Sequence, residues 1–258
     1  MGRVAVITGA SSGIGRALAG RLARDGYAIG LVARRRDLLD QVANEVRAAG
    51  GTAAVAVADV GDRLQVLAAI HQIRDDLGPI DLLVANAGVG TPTLLDPVNA
   101  VDVEKMFRVN TLGVLYAIEA VLPEMLKRRA GHIAAVSSLA GFQGLPGESG
   151  YCASKAAVNC YLDGLRVHLR GTGVAVTTLC PGFVKTPMTA VNTHPMPLMM
   201  TADRAADYIA YALRKKKKVY RFPRGTSFLM RLAGWLPDWA LARVMGNYNA
   251  APPMVEIP

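Results

Sequence analysis

The chain has 258 residues and a formal net charge of +9, with 52% of its residues hydrophobic and 19% charged. That balance excludes a disordered polypeptide, and the length suits a single α/β domain over residues 1–258. Cys152, Cys160 and Cys180 are odd in number and lack metal-type spacing, so reduced thiols are expected instead of a disulfide framework.

The first strand is expected from Val4 to Thr8, so close to the start that no signal peptide fits; a cytoplasmic protein is the expectation. No uninterrupted apolar run approaches the ~20 residues of a membrane span. After the strand come Gly9-Ala-Ser-Ser-Gly13-Ile-Gly15 and an amphipathic helix to about Asp25. A glycine-rich turn from strand to helix lets backbone N–H groups approach a pyrophosphate, and the helix N-terminus adds partial positive charge. Gly9, Ser11, Ser12, Gly13, Ile14 and Gly15 are therefore candidate nucleotide contacts.

A second strand, Ala28 to Ala33, ends in Arg34, Arg35 and Arg36 with no acidic residue to hold a ribose 2′-hydroxyl. Arginines there suit a 2′-phosphate, which favours NADP(H) over NAD(H), with Arg34 the first candidate and Arg35 the second. The third strand, Ala53 to Ala58, leads to Asp59 and Val60; Asp59 either accepts from an adenine amino group or caps the helix starting near Gly61. The fourth, Leu82 to Ala85, leads to Asn86, Ala87 and Gly88, small enough for close approach to a cofactor.

A long helix is expected from Leu115 to Arg128, with Asn110 just before it, by itself a cap or a kink. The next strand, His132 to Ser137, brings Ser137 and Ser138 to its C-terminal edge. Tyr151 and Lys155 follow, four residues apart and so on one face of a helix. An ammonium beside a phenol lowers the phenol's pKa, giving a proton donor and acceptor for ketone and alcohol chemistry. The strand Ala175 to Cys180 precedes Pro181 and Gly182. His71, His132, His168 and His194 show no ligand spacing, so no metal is expected.

Together these motifs resemble the short-chain dehydrogenase/reductase family, in order and spacing, from residue 3 to about 190. The matching residues are Thr8-Gly9-x-x-x-Gly13-x-Gly15, Asp59, Asn86-Ala87-Gly88, Asn110, Ser138, Tyr151-x-x-x-Lys155 and Pro181-Gly182-x-x-x-Thr186. Ala85 departs from the family, which often has Asn there. The resemblance implies one doubly wound, Rossmann-type parallel sheet of about seven strands with helices on both faces. It implies an NADP(H)-dependent reductase of ketones or aldehydes, with hydride supplied by the nicotinamide. In that scheme Tyr151 transfers the proton. Lys155 lowers its pKa and holds the ribose, and Ser138 (Ser137 being the alternative) binds the substrate oxygen. Asn110 binds a water leading from Lys155 to solvent. Pro181, Gly182, Val184 and Thr186 lie along the nicotinamide. Alternatives are an NAD-dependent alcohol dehydrogenase, a 3-oxoacyl reductase, or a cofactor-binding regulatory protein without turnover. Relatives usually form dimers or tetramers, so a homo-oligomer is expected.

Residues 183–200 are expected to form a methionine-rich substrate lid, which suits an apolar carbonyl compound. A helix from Ala202 to Leu213 and a last strand at Val219 and Tyr220 precede a tail, 221–258, with two short amphipathic helices split by Pro237. Eight basic residues and no acidic one fall between Arg214 and Arg231. Packing of the tail on the pocket or a second subunit is the main expectation, and contact with an anionic membrane the alternative. Nucleic-acid binding is not expected, since no aromatic platform interleaves Lys215–Lys218.

Overall fold

The computed structural model describes residues 2–190, 196, 198–233 and 235–244. Seven strands form one sheet: β1 (Arg3–Thr8), β2 (Tyr27–Ala33), β3 (Ala53–Val57), β4 (Ile80–Ala85), β5 (Gly131–Val136), β6 (Val174–Pro181) and β7 (Val219–Phe222). Their order is β3-β2-β1-β4-β5-β6-β7, and every pairing is parallel. The strands are largely apolar because helices cover both faces. The order reverses between β1 and β4, which opens a crevice at the C-terminal ends of the strands where such sheets bind ligands. This is the doubly wound α/β fold expected.

On one face lie α1 (Gly13–Arg24), α2 (Arg36–Ala48) and α8 (Ala202–Arg214). The other carries α3 (Arg63–Leu77), α5 (Gly113–Arg128) and α6 (Ser149–His168). Helix α1 buries Leu18 and Leu22 four residues apart against the sheet, and each contributes about 1.5–3 kcal/mol. Asp62, not Asp59, caps α3, its carboxylate accepting from the backbone of Leu64 and Gln65.

Before α5 lies α4 (Ala100–Phe107), joined to it by a π-helical turn, Arg108–Leu112, that contains Asn110. The continuous helix Ala100–Arg128 reaches the length and mean hydropathy of a membrane span. Its apolar stripe of Val114, Ala117, Ile118, Val121 and Met125 is nevertheless spent on the sheet.

Of the expected lid, 191–195 and 197 lie outside the described residues; the remainder contains α7 (Pro187–Ala190) and a bridge from Val184 to Met200. Helices α9 (Arg224–Ala233) and α10 (Asp238–Val244) follow β7, as expected of a tail split at Pro237. One expectation changes. Lys215–Lys218 enter β7 from its N-terminal end, whereas α9 leaves its C-terminal end, so the strand separates most of the charge from the apolar helices. Four strand residues make that separation roughly 13 Å.

Candidate active site

At the turn after β1 the backbone passes so close to the β4 turn that side chains cannot fit. Gly9 has φ +65°, and a Cβ there would stand 2.7 Å from Ala87 Cα. A Cβ on Gly15 would lie 2.3 Å from the Gly9 carbonyl oxygen. Asn86 holds the two turns together: its amide donates to the Thr8 carbonyl at 2.9 Å, and its backbone N–H donates to Thr8 Oγ1 at 3.0 Å. At the start of α1, Ser12 makes no side-chain cap and the first turn has no acidic residue. The N–H groups of that turn therefore stay open toward an anion.

A groove of about 420 Å³ begins at this loop and follows the crevice to the far strands. It is lined by every expected cofactor residue but one: Gly9, Ser11, Ser12, Gly13, Ile14, Arg34, Arg35, Asp59, Val60, Asn86, Ala87, Gly88, Tyr151, Lys155, Pro181, Gly182, Val184 and Thr186. Gly15 is the exception. It is buried beneath the loop and packs helix against turn instead of facing the groove. Asp59 spends one oxygen on the Gly61 backbone N–H at 2.9 Å while still lining the groove. Of the two arginines, Arg35 reaches across the glycine loop, its guanidinium donating to Ser11 Oγ and Ser12 Oγ, both at 3.1 Å. Arg34 lines the groove with no such tie. Lys105 of α4 also lines it, a cation the motif reading did not single out.

At the other end, Ser138 and Tyr151 face a second, smaller pocket as well as the groove. The two serines divide their work. Ser137 is buried and its hydroxyl donates to the Lys155 carbonyl, which ties β5 to α6. Ser138 starts a 3₁₀ turn, accepts from the Ala140 N–H at 3.1 Å, and hydrogen-bonds Tyr151.

Lys155 is buried, and its ammonium donates to the Val136 carbonyl at 2.9 Å. Burial draws it down to about 8, with Cys180 opposing. Burial also pushes the half-buried Tyr151 phenol up to about 12; the bond with Ser138 opposes this, and Glu148 and Cys152 add to it. The expectation that Lys155 lowers the phenol is therefore not met in this state. Its Nζ is drawn under the ring, 5.8 Å from the centroid, toward the β5 carbonyl, so desolvation dominates both groups.

Asn110 is fully buried, and protein groups hydrogen-bond both ends of its amide. Its amide donates to the Val89 carbonyl and Ser154 Oγ, both at 2.9 Å, and its Oδ1 accepts from the Val89 N–H at 2.8 Å. This clamps the chain after Gly88, whose absent Cβ would lie 3.2 Å from Asn110 Oδ1 and 3.3 Å from Lys155 Nζ. The Asn110 side chain thus fixes the loop over Lys155. Motif reasoning missed Glu148, Thr226 and Met230, which line the smaller pocket with Met188. Only Glu148 left a trace, standing three residues before Tyr151 and so near it on the same helix.

A strand–glycine loop–helix, an anion-ready helix start, and a Ser–Tyr–Lys cluster at the groove's far end define a nicotinamide-dependent oxidoreductase. Residues 3–196 match the family model described as short chain dehydrogenase, and the chain belongs to that family. It is 40% identical to an uncharacterized oxidoreductase of Myxococcus xanthus, over 92% of this chain and 93% of that protein. Among solved structures, a 3-ketoacyl-ACP reductase from Sinorhizobium meliloti is 30% identical at a TM-score of 0.80, over 88% of this chain and 99% of the other. An alcohol dehydrogenase from Thermococcus sibiricus, complexed with 5-hydroxy-NADP, is 29% identical at a TM-score of 0.78, over 85% and 95%.

Proposed function

We propose that the protein reduces an apolar ketone or aldehyde to an alcohol with NADPH. The observation that carries this is the shared wall: Ser138 and Tyr151 face both the cofactor groove and an apolar pocket. A carbonyl in that pocket meets the cofactor beside Ser138 and Tyr151, a hydrogen-bonded hydroxyl pair placed for its oxygen. When bound, the nicotinamide supplies the hydride. Ser138 hydrogen-bonds the carbonyl oxygen and stabilises the charge that develops there. Tyr151, neutral at physiological pH, gives that oxygen its proton. Lys155 holds its charge beneath the tyrosine ring and re-stabilises the phenolate that donation leaves. Gly9, Gly13 and the open start of α1 would hold the pyrophosphate. Arg35, already aligned with Ser11 and Ser12, would hold a 2′-phosphate. The test is the loss of reduced-nicotinamide absorbance with NADPH and NADH across a panel of ketones and aldehydes. NADPH-preferring turnover is expected. Tight NADPH binding with no turnover of any carbonyl supports the regulatory alternative instead.

Two readings concern partners. Phe228, Leu232, Trp235 and Trp239 stand exposed on α9, α10 and the turn between them, a surface suited to peripheral contact with a membrane. Absence of liposome co-sedimentation at low salt ends that reading. A homodimer or homotetramer through α6, where Tyr161 and Val167 are exposed, is expected in analytical ultracentrifugation; a monomer at all concentrations removes it.

A further inference from the structure

The pocket beside Ser138 and Tyr151 encloses about 130 Å³. Much of its wall is apolar, with Pro92, Leu139, Leu145, Phe183, Met188 and Met230. One of its polar groups has no partner among the described residues. Glu148 caps the start of α6 through its backbone, yet its carboxylate accepts no capping bond and forms no ion pair among the described residues. Thr226 on α9 also lines the wall, but its Oγ1 is closed off from the pocket space. Unpartnered polar groups are costly in an apolar enclosure, and in a binding pocket the missing partner belongs to the ligand.

Glu148 is also held in place. Its N–H donates to the Leu145 carbonyl at 3.1 Å, and its carbonyl accepts from the Cys152 N–H at 2.8 Å. Thr93 locks the same turn from the opposite loop: its N–H donates to the Gly147 carbonyl at 2.7 Å, and its hydroxyl accepts from the Gly150 N–H at 2.9 Å. A carboxyl fixed this way by its backbone but left unpaired at its tip is placed for recognition.

Resting on the carbonyl-reductase reading, we propose that Glu148 forms a second polar subsite. It binds an uncharged hydroxyl or carbonyl that the substrate carries besides the one being reduced, and Glu148 turns anionic substrates away. Ser138 and Tyr151 are taken by the reacting oxygen, so Glu148 answers to a different atom of the substrate. Its carboxylate can accept from a hydroxyl. Burial pushes the Glu148 carboxyl up to about 7, so it is also available as a donor. The titratable groups facing it are Tyr151 and Cys152 of its own helix. Among the described residues, the loop 90–92, the segment 138–145, the stretch 182–189 and α9 add no charged side chain to the wall. An anion entering would meet the carboxylate with no cation to offset it.

Four ketones on one skeleton test this: 4-methyl-, 4-hydroxy- and 4-aminocyclohexanone and 4-oxocyclohexanecarboxylate. In the wild type, kcat/KM for the hydroxy compound should exceed that for the methyl compound by about tenfold, with the carboxylate lowest. In Glu148→Leu the hydroxy-to-methyl ratio should fall toward one. Glu148→Gln should keep that preference and raise kcat/KM for the carboxylate. An NADPH fluorescence titration identifies any variant that has lost its fold. A ratio unchanged in folded variants, or a wild-type preference for the carboxylate compound over the amino compound, overturns the proposal. A wild type that reduces none of the four, while reducing other ketones, overturns it too. Failure to reduce any carbonyl at all instead overturns the reductase reading on which it rests.

Discussion

Replacing Glu148 by Gln should make the protein more stable, and increasingly so as pH rises. Burial holds the Glu148 carboxyl at about 7, above its ordinary 4.5. The folded state thus binds a proton more tightly than the unfolded chain does. Stability falls with pH wherever the native state binds more protons, here across the interval between those two values. Below about pH 4.5 the group is neutral in both states and costs nothing; above about pH 7 the full penalty of the buried charge applies. The full shift corresponds to about 3 kcal/mol, and moving from about pH 5 to about pH 8 should reveal about 2–3 kcal/mol of it. Glutamine keeps the shape and cannot ionise. Urea unfolding of wild type and Glu148→Gln at both pH values reads the difference directly. A stability gain that grows by this amount is expected. An equal effect at both pH values, or a variant that loses stability as pH rises, would refute the placement of an unpaired carboxyl in the pocket.

Three further outcomes follow from the geometry. Arg35→Ala should weaken NADPH binding about tenfold or more with little change for NADH, and Arg34→Ala should do less, because only Arg35 is aligned with Ser11 and Ser12; isothermal titration with both cofactors separates them. Ser138→Ala should lower kcat by about 10²–10³ with the fold intact, while Ser137→Ala should chiefly lower the melting temperature, since its hydroxyl serves Lys155's backbone. Gly15→Ala should destabilise by about 1–3 kcal/mol and weaken both cofactors together, because its Cβ would meet the Gly9 carbonyl and the Asn86 amide; thermal unfolding with and without cofactor checks this.

What could be read from the sequence was what acts through short stretches of chain. The glycine loop, the strand-edge turns at Asp59 and Asn86, and the Tyr151–Lys155 spacing each encode their geometry within a few residues. The structure places them around one groove. What could not be read depends on how distant pieces meet. Neighbouring arginines look alike in sequence. Arg35, extended at the start of α2, is the one whose guanidinium reaches the loop serines. The tyrosine's pKa was argued from one neighbouring charge, but burial is a property of the assembled pocket and outweighs it. The tie from Asn110 to Val89 depends on a π turn that no local spacing announces. Thr226 and Met230 belong to a helix about seventy-five residues beyond Tyr151, and no local spacing points from one to the other.

The most direct test of the central claim is Tyr151→Phe, compared with wild type for NADPH affinity and for turnover of whichever ketone the wild type reduces fastest. The substitution removes the proton donor and leaves the groove's other walls in place. Retained NADPH binding with turnover reduced by at least about 10²-fold is the result expected. Near-wild-type turnover in a variant that binds NADPH normally would contradict the assignment of Tyr151 as the acid.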